Sequence, residues 1–122
     1  MEEKGSTGLP ANIAGVLGYL FAPLTSIIML LLEKEDSTVR FHAWQGTLFG
    51  VCCIVLITSL EIASSILGFF ASFLGIFIGL LLMPVLGIAF VLWAVCVVKA
   101  YQGELWRIPY LGDMAAKKAG LE

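Results

Sequence analysis

The sequence predicts an all-α, polytopic helical membrane protein with three transmembrane helices, four being the alternative count, and an interfacial C-terminal segment. Three observations carry that prediction. Apolar residues make up 60% of the chain and charged residues 13%, with a mean hydropathy of +1.00, more than a water-soluble core of this length requires. Residues 11–32 carry no charge. Residues 62–98 form a second uncharged run of 37, where a single crossing needs about 20.

The chain reads as one membrane domain, 1–122. Residues 1–10 form a polar tail whose Met1-Glu2-Glu3-Lys4 start holds more acid than base, so the apolar run behind it reads as a retained helix and not as a cleaved signal. The first span is 11–32, opened by Pro10, which loses no hydrogen bond at a helix start. Pro23 sits mid-span and is expected to kink it, with Thr25 and Ser26 near enough to satisfy freed carbonyls. Gly15, Gly18 and Ala22 make a small-residue face for a neighbouring helix. The charged turn Glu33 to Thr38 follows, with Ser37 or Thr38 as the expected N-cap of the next helix.

The second span is 39–66 and the third 69–101, the latter able to divide into two elements; 102–122 is a cytoplasmic interfacial tail. The break between them is expected near Ser59 to Gly68, the most polar part of the run. Charge placement favours three spans. That count puts six of the seven Lys and Arg on one side, against five in the four-span layout, and makes that side, with the C-terminus, cytoplasmic. The location implied is the cell's cytoplasmic membrane, crossed several times. Trp44, Tyr101, Trp106 and Tyr110 are expected at headgroup level, with Arg107 and Lys99 reaching toward phosphate.

Few residues suggest chemistry. His42 and Gln45 share a helical face, where they would line a polar path, bind a partner, or simply anchor a helix end beside Arg40. Glu61 is the one acid between Asp36 and Glu104; in a turn it is merely solvated, whereas at bilayer depth it would be functional. Gly46–Gly50 and Gly75–Gly79 are close-packing pairs that serve contacts within one chain or between copies. Cys52, Cys53 and Cys96 lie in apolar runs without metal-ligand spacing and read as packing residues. No catalytic, cofactor-binding or metal-binding constellation is visible, so an enzyme is not expected. A formal charge of −2 gives no reason to expect nucleic acid.

Taken in order, Asn12-Ile-Ala-Gly-Val-Leu-Gly-Tyr, Glu33-Lys-Glu, Val39-Arg-Phe-His-Ala-Trp-Gln, Lys99-Ala-Tyr-Gln-Gly-Glu and Ile108-Pro-Tyr-Leu-Gly-Asp resemble the Tic-twenty-like family. These are small prokaryotic membrane proteins related to a chloroplast inner-envelope import component, and the resemblance covers almost all of residues 12–113. It implies a helical membrane protein akin to a protein-conducting translocon. Carried onto this chain, the family's motif residues are Arg40, Phe41, His42 and Gln45 at one end and Lys99, Gly103, Glu104 and Pro109 at the other. In the three-span layout Glu104 would approach Arg40 or His42. The expected function is an oligomeric channel or transport subunit, its partners being the lipid bilayer, further copies of itself and a translocated polypeptide. The alternative is a non-transporting scaffold or accessory protein that docks a protein partner through its cytoplasmic motifs.

Overall fold

The computed structural model describes residues 5–121, in which all regular structure is helical. The helices are α1 (Ala11–Leu20), α2 (Leu24–Leu32), α3 (Ser37–Phe70), α4 (Ser72–Leu80), α5 (Leu82–Tyr101) and α6 (Leu111–Lys118). Two stretches, Ser37–Phe70 and Ser72–Tyr101, are long and apolar enough to cross a membrane. The chain divides into two compact units, one made of everything up to Val51 together with everything from Trp93 onward, the other of Cys52–Leu92.

In the first unit, the run expected as one kinked span over 11–32 is two helices packed on each other, roughly 15 and 14 Å long, each about half the depth of a bilayer core. The cause is Pro23. Having no N–H, it leaves the Tyr19 carbonyl without its helical donor, and the chain turns over residues 21–23. The turn displaces Ala22 N onto Tyr19 O, which in turn frees the Gly18 carbonyl, and Ser26 Oγ donates to that one. Ser26 thus has the role expected of it. Thr25 Oγ1 instead accepts from Phe21 N at 3.0 Å.

The hairpin lies against the first turns of α3 through glycines. A Cβ on Gly46 would collide with the Gly18 carbonyl and Ser26 Oγ, and one on Gly50 would come within 2.9 Å of Ala22 and Pro23. A Cβ on Gly18 would meet the Ala43 backbone at 3.1 Å. Ala14, Met29, Val39 and Ala43 close the apolar centre of this contact. The N-cap of α3 is Asp36, not Ser37 or Thr38: its Oδ1 accepts from Thr38 N at 2.9 Å and Val39 N at 3.3 Å.

The C-terminal segment returns to the same place. Gly103, at φ 80°, ends α5 in a Schellman turn with Gly103 N on Ala100 O and Glu104 N on Lys99 O. α6 then sets Ala115, Ala116 and Ala119 against Phe41.

In the second unit, α3 continues through Ser59–Gly68, where a break was expected, and stops at Phe70. Hydroxyls do not interrupt a helix when they can fold back on it, as Ser59 Oγ does on Val55 O at 2.6 Å. The turn falls at Ala71, in an extended conformation, and brings α4 onto α3. A Cβ on Gly75 would lie 2.6 Å from Gly68 Cα, and Ser64 Oγ donates to Gly75 O at 2.8 Å. Pro84 falls in the first turn of α5 and begins that helix without kinking it.

Both glycine pairs therefore serve contacts within the chain. Gly46→Ala should lower stability by about 1–3 kcal/mol through overpacking, whereas Gly87→Ala, whose Cβ meets nothing within 4 Å, should be neutral or raise it by about 0.5–1 kcal/mol. Unfolding of the two variants in detergent micelles checks this, and equal behaviour would refute the close packing.

Candidate functional site

The first unit holds a buried polar centre on α3, and its hub is Gln45, 0% exposed. Gln45 Nε2 donates to Tyr19 OH at 2.8 Å and to the Trp106 carbonyl at 3.0 Å, and lies 3.8 Å from Cys96 Sγ. Its Oε1 accepts from Ile108 N at 2.9 Å. The amide thus treats the C-terminal strap, residues 102–110 between α5 and α6, as a neighbouring strand would, offering a donor to Trp106 and an acceptor to Ile108, two residues further on. Gly112 must be glycine for this, since a Cβ there would fall 2.9 Å from Gln45 Oε1 and closer still to Arg107.

Tyr19 OH accepts from Gln45 and also shares a 2.9 Å hydrogen bond with His42 Nδ1, the donor there being set by the imidazole tautomer; the other ring nitrogen is Nε2. That Nε2 is buried with no partner among the described residues. The ring is wedged by Phe41 and Tyr19, both edge-on, and a Cβ on Gly15 would press on it at 2.9 Å. Trp93 Nε1 completes the centre by donating at 2.8 Å to the Tyr19 carbonyl that Pro23 left short.

A second polar cluster closes the hairpin. The Glu33 carboxylate, also 0% exposed, accepts from the backbone N–H of Ser6, Thr7, Glu35 and Asp36 at 2.9–3.3 Å and from Thr7 Oγ1 at 3.4 Å. Burial pushes its pKa up, but the four backbone amides outweigh it and bring the carboxyl from 4.5 down to about 2. Arg40 Nη1 donates to the Glu33 and Leu30 carbonyls at 2.7 and 3.3 Å, satisfying the last turn of α2.

Of the residues singled out from sequence, His42 and Gln45 meet through Tyr19 in this unit, and Arg40 belongs to its second cluster. Glu104 does not approach Arg40 or His42; it pairs with Lys99 at 2.8 Å, a half-exposed bridge worth little. Arg107 pairs with Asp113 at 3.0 Å. Tyr101 and Tyr110 are exposed. Trp106 and Trp44 are partly buried: the first gives its carbonyl to Gln45, and the second lies under Lys118 Nζ, 5.1 Å from the ring centre. Glu61 belongs to the other unit, exposed within α3 and not in a turn. Cys52 and Cys53 are exposed or partly so, and only Cys96 is buried.

Tyr19, Glu33, Trp93 and Ile108 were missed. A tyrosine and a tryptophan inside apolar runs, each needing a partner for its polar end, were the available signals for two of them. Nothing in sequence distinguishes Glu33 from Glu35.

Known proteins bear on this geometry. The family model that matches, over residues 6–115, is the magnetosome magnetite crystal formation protein family. Similar relatives include a UPF0132 membrane protein of Archaeoglobus fulgidus, 41% identical over 110 residues that cover 89% of this chain and 95% of the relative. Another, from Methanocaldococcus jannaschii, is 42% identical over 113 residues, 92% of this chain and 91% of the relative. No solved structure matches. These findings correct the resemblance to the Tic-twenty-like family, and with it the terms translocon and protein transport. The motifs behind it (a charged turn, then Arg, His, Trp and Gln, later Lys and Glu) are what any helix needs on leaving a bilayer, so they identify a boundary better than a family.

Because the folded pKa of Glu33 is depressed, its contribution is complete above about 4.5 and is lost as pH falls toward about 2. The wild type should lose on the order of 3 kcal/mol over that window that Glu33→Gln does not lose. Acid unfolding of both proteins in micelles is the check, and parallel curves would mean that Glu33 is not held ionised.

Proposed function

The chain belongs to the magnetosome magnetite crystal formation protein family, and from that membership and the geometry of its polar centre we propose a non-transporting membrane scaffold that presents its C-terminal strap to a protein partner. What the family's name says of magnetite is said of the proteins that gave it that name. The observation that carries the scaffold reading is Gln45: its amide and the Tyr19–His42 pair face inward and are occupied in holding α1, α5 and the strap together. A conducting path needs polar groups free to meet what passes. Here the Gln45 amide, Tyr19 OH and His42 Nδ1 are tied, His42 Nε2 is buried in the interior, and the glycine faces that could have joined copies of the chain are taken up internally.

The same geometry supports a particular arrangement in the cell membrane. Ser6 and Thr7 are bonded to Glu33, so the hairpin α1–α2 enters and leaves on one side. This reading replaces the first of three crossings with a re-entrant hairpin and leaves α3 and the α4–α5 stretch as the two full crossings. Every described Lys and Arg (Lys34, Arg40, Lys99, Arg107, Lys117, Lys118) belongs to the unit containing the hairpin and the strap, which favours the cytoplasm for that side.

Three experiments test this. Single cysteines replacing Lys34 and Lys117 in intact cells should both be protected from an external label; labelling of Lys34 and Lys117 from opposite faces would overturn the arrangement. A photo-crosslinker at Leu105 should trap one defined protein in native membranes, with at least a fivefold loss in Gln45→Leu, while purified protein in planar bilayers adds no conductance. Reproducible unitary currents would sink the scaffold reading.

A further inference from the structure

Beside the hairpin the first unit has an open-sided cavity of about 540 Å³, within the range of small-molecule sites. Its apolar wall comes from Leu9, Leu17 on α1, and Ile28 and Met29 on α2. Thr25, Ile28 and Leu32, spaced three and four apart, line one face of α2, so the cavity extends roughly 10 Å along that helix. The remaining lining residues are Ser6 and Thr7, and each hydroxyl at the cavity already has a protein partner. Ser6 Oγ accepts from Lys34 N, Thr7 Oγ1 bonds Glu33 and Leu9 N, and Thr25 Oγ1 accepts from Phe21 N. Among the described residues no charged side chain lines it, and the nearby Glu33 carboxylate is saturated with donors. The lining is chiefly apolar, which suits a hydrocarbon occupant better than an ionic one. We infer that this cavity seats one hydrocarbon chain of a bilayer lipid.

Two features favour a lipid chain over other occupants. The cavity is continuous with the lipid-facing surface: Ile28 and Leu32 line it and are themselves exposed beside Leu24 and Leu31. It is also preformed. The segment carrying Ser6 and Thr7 is held to Glu33, and the hairpin is held by its glycine contacts to α3, so the walls need no ordering when a chain enters. That separates this seat from the fluid contacts of an ordinary helix surface.

The test does not depend on the scaffold reading. Protein purified from phosphatidylcholine nanodiscs should show one retained phospholipid by native mass spectrometry. Leu17→Phe, or Ile28→Trp should the first variant fold poorly, should reduce that occupancy at least tenfold, while Leu31→Phe, outside the cavity, leaves it unchanged. In micelles doped with phosphatidylcholine spin-labelled at the chain end, relaxation of the Met29 methyl should saturate near one label per chain, while that of lipid-exposed Met83 climbs in proportion to the dose. No retained lipid, equal retention in all variants, parallel responses of the two methyls, or a dimer formed through the Leu17 face would each overturn the inference.

Discussion

A primary amide in a hydrocarbon-soaked interior is tolerable only when every one of its hydrogen-bonding groups is met, and Gln45 is the residue around which this fold meets that requirement. Its partners come from 26, 51, 61 and 63 residues away in the chain. Apolar side chains cannot select among arrangements in lipid, because lipid is as good a neighbour as protein. One buried amide can, since any other arrangement leaves its donors and acceptor unpaired at about 1–3 kcal/mol for each buried group. Specificity in the first unit therefore rests on polar geometry, and the closeness of the helices follows from glycines that let the backbones approach it.

The break at Pro23 shows the same accounting at the level of backbone carbonyls. The missing N–H of Pro23 lets Ala22 N shift onto Tyr19 O, where Trp93 Nε1 joins it, and the Gly18 O so vacated is taken by Ser26. α5 is thereby tied to the hairpin by the repair of a local defect. The Tyr19 ring, placed by that repaired helix end, supplies the hydroxyl that joins Gln45 to His42. Pro23, Tyr19 and Gln45 are thus successive steps of one constraint, although no pair of them is adjacent in sequence.

Much of this was legible beforehand, and what was not has a common cause. Composition and uncharged run lengths gave the solvent and the helical class. The glycines at 15, 18, 46 and 50 were visible as small faces, and Ser26 as a carbonyl partner. What periodicity could not reveal was where a helix yields to its neighbours. Ser59 to Gly68 looked breakable from composition, yet its hydroxyls satisfy themselves along the helix, and the chain turns at Ala71 because Gly75 must reach Gly68. His42 and Gln45 were identified as polar residues on one face, but whether they faced a path or each other's partners depended on a strap more than 60 residues later. The family resemblance failed for a related reason: its motifs described how a helix meets the membrane boundary, a problem many unrelated chains solve alike.

Glu33 shows how these constraints reach the surface. Ionised and hidden from solvent, it needs four backbone N–H groups, two of them from the segment before α1, so it holds both ends of the hairpin at the same level. With those ends joined, two half-length helices can sit in an apolar layer without either crossing it, and the turn at residues 21–23 has its polar groups answered from within the protein. The outward faces of the hairpin are left with branched and aromatic side chains such as Phe21, Leu24 and Leu31. Such faces discriminate poorly among neighbours. The strap that Gln45 holds differs from those faces: its charged and aromatic groups stand on a backbone whose position is fixed from the interior, and that contrast is why the scaffold proposal rests on it.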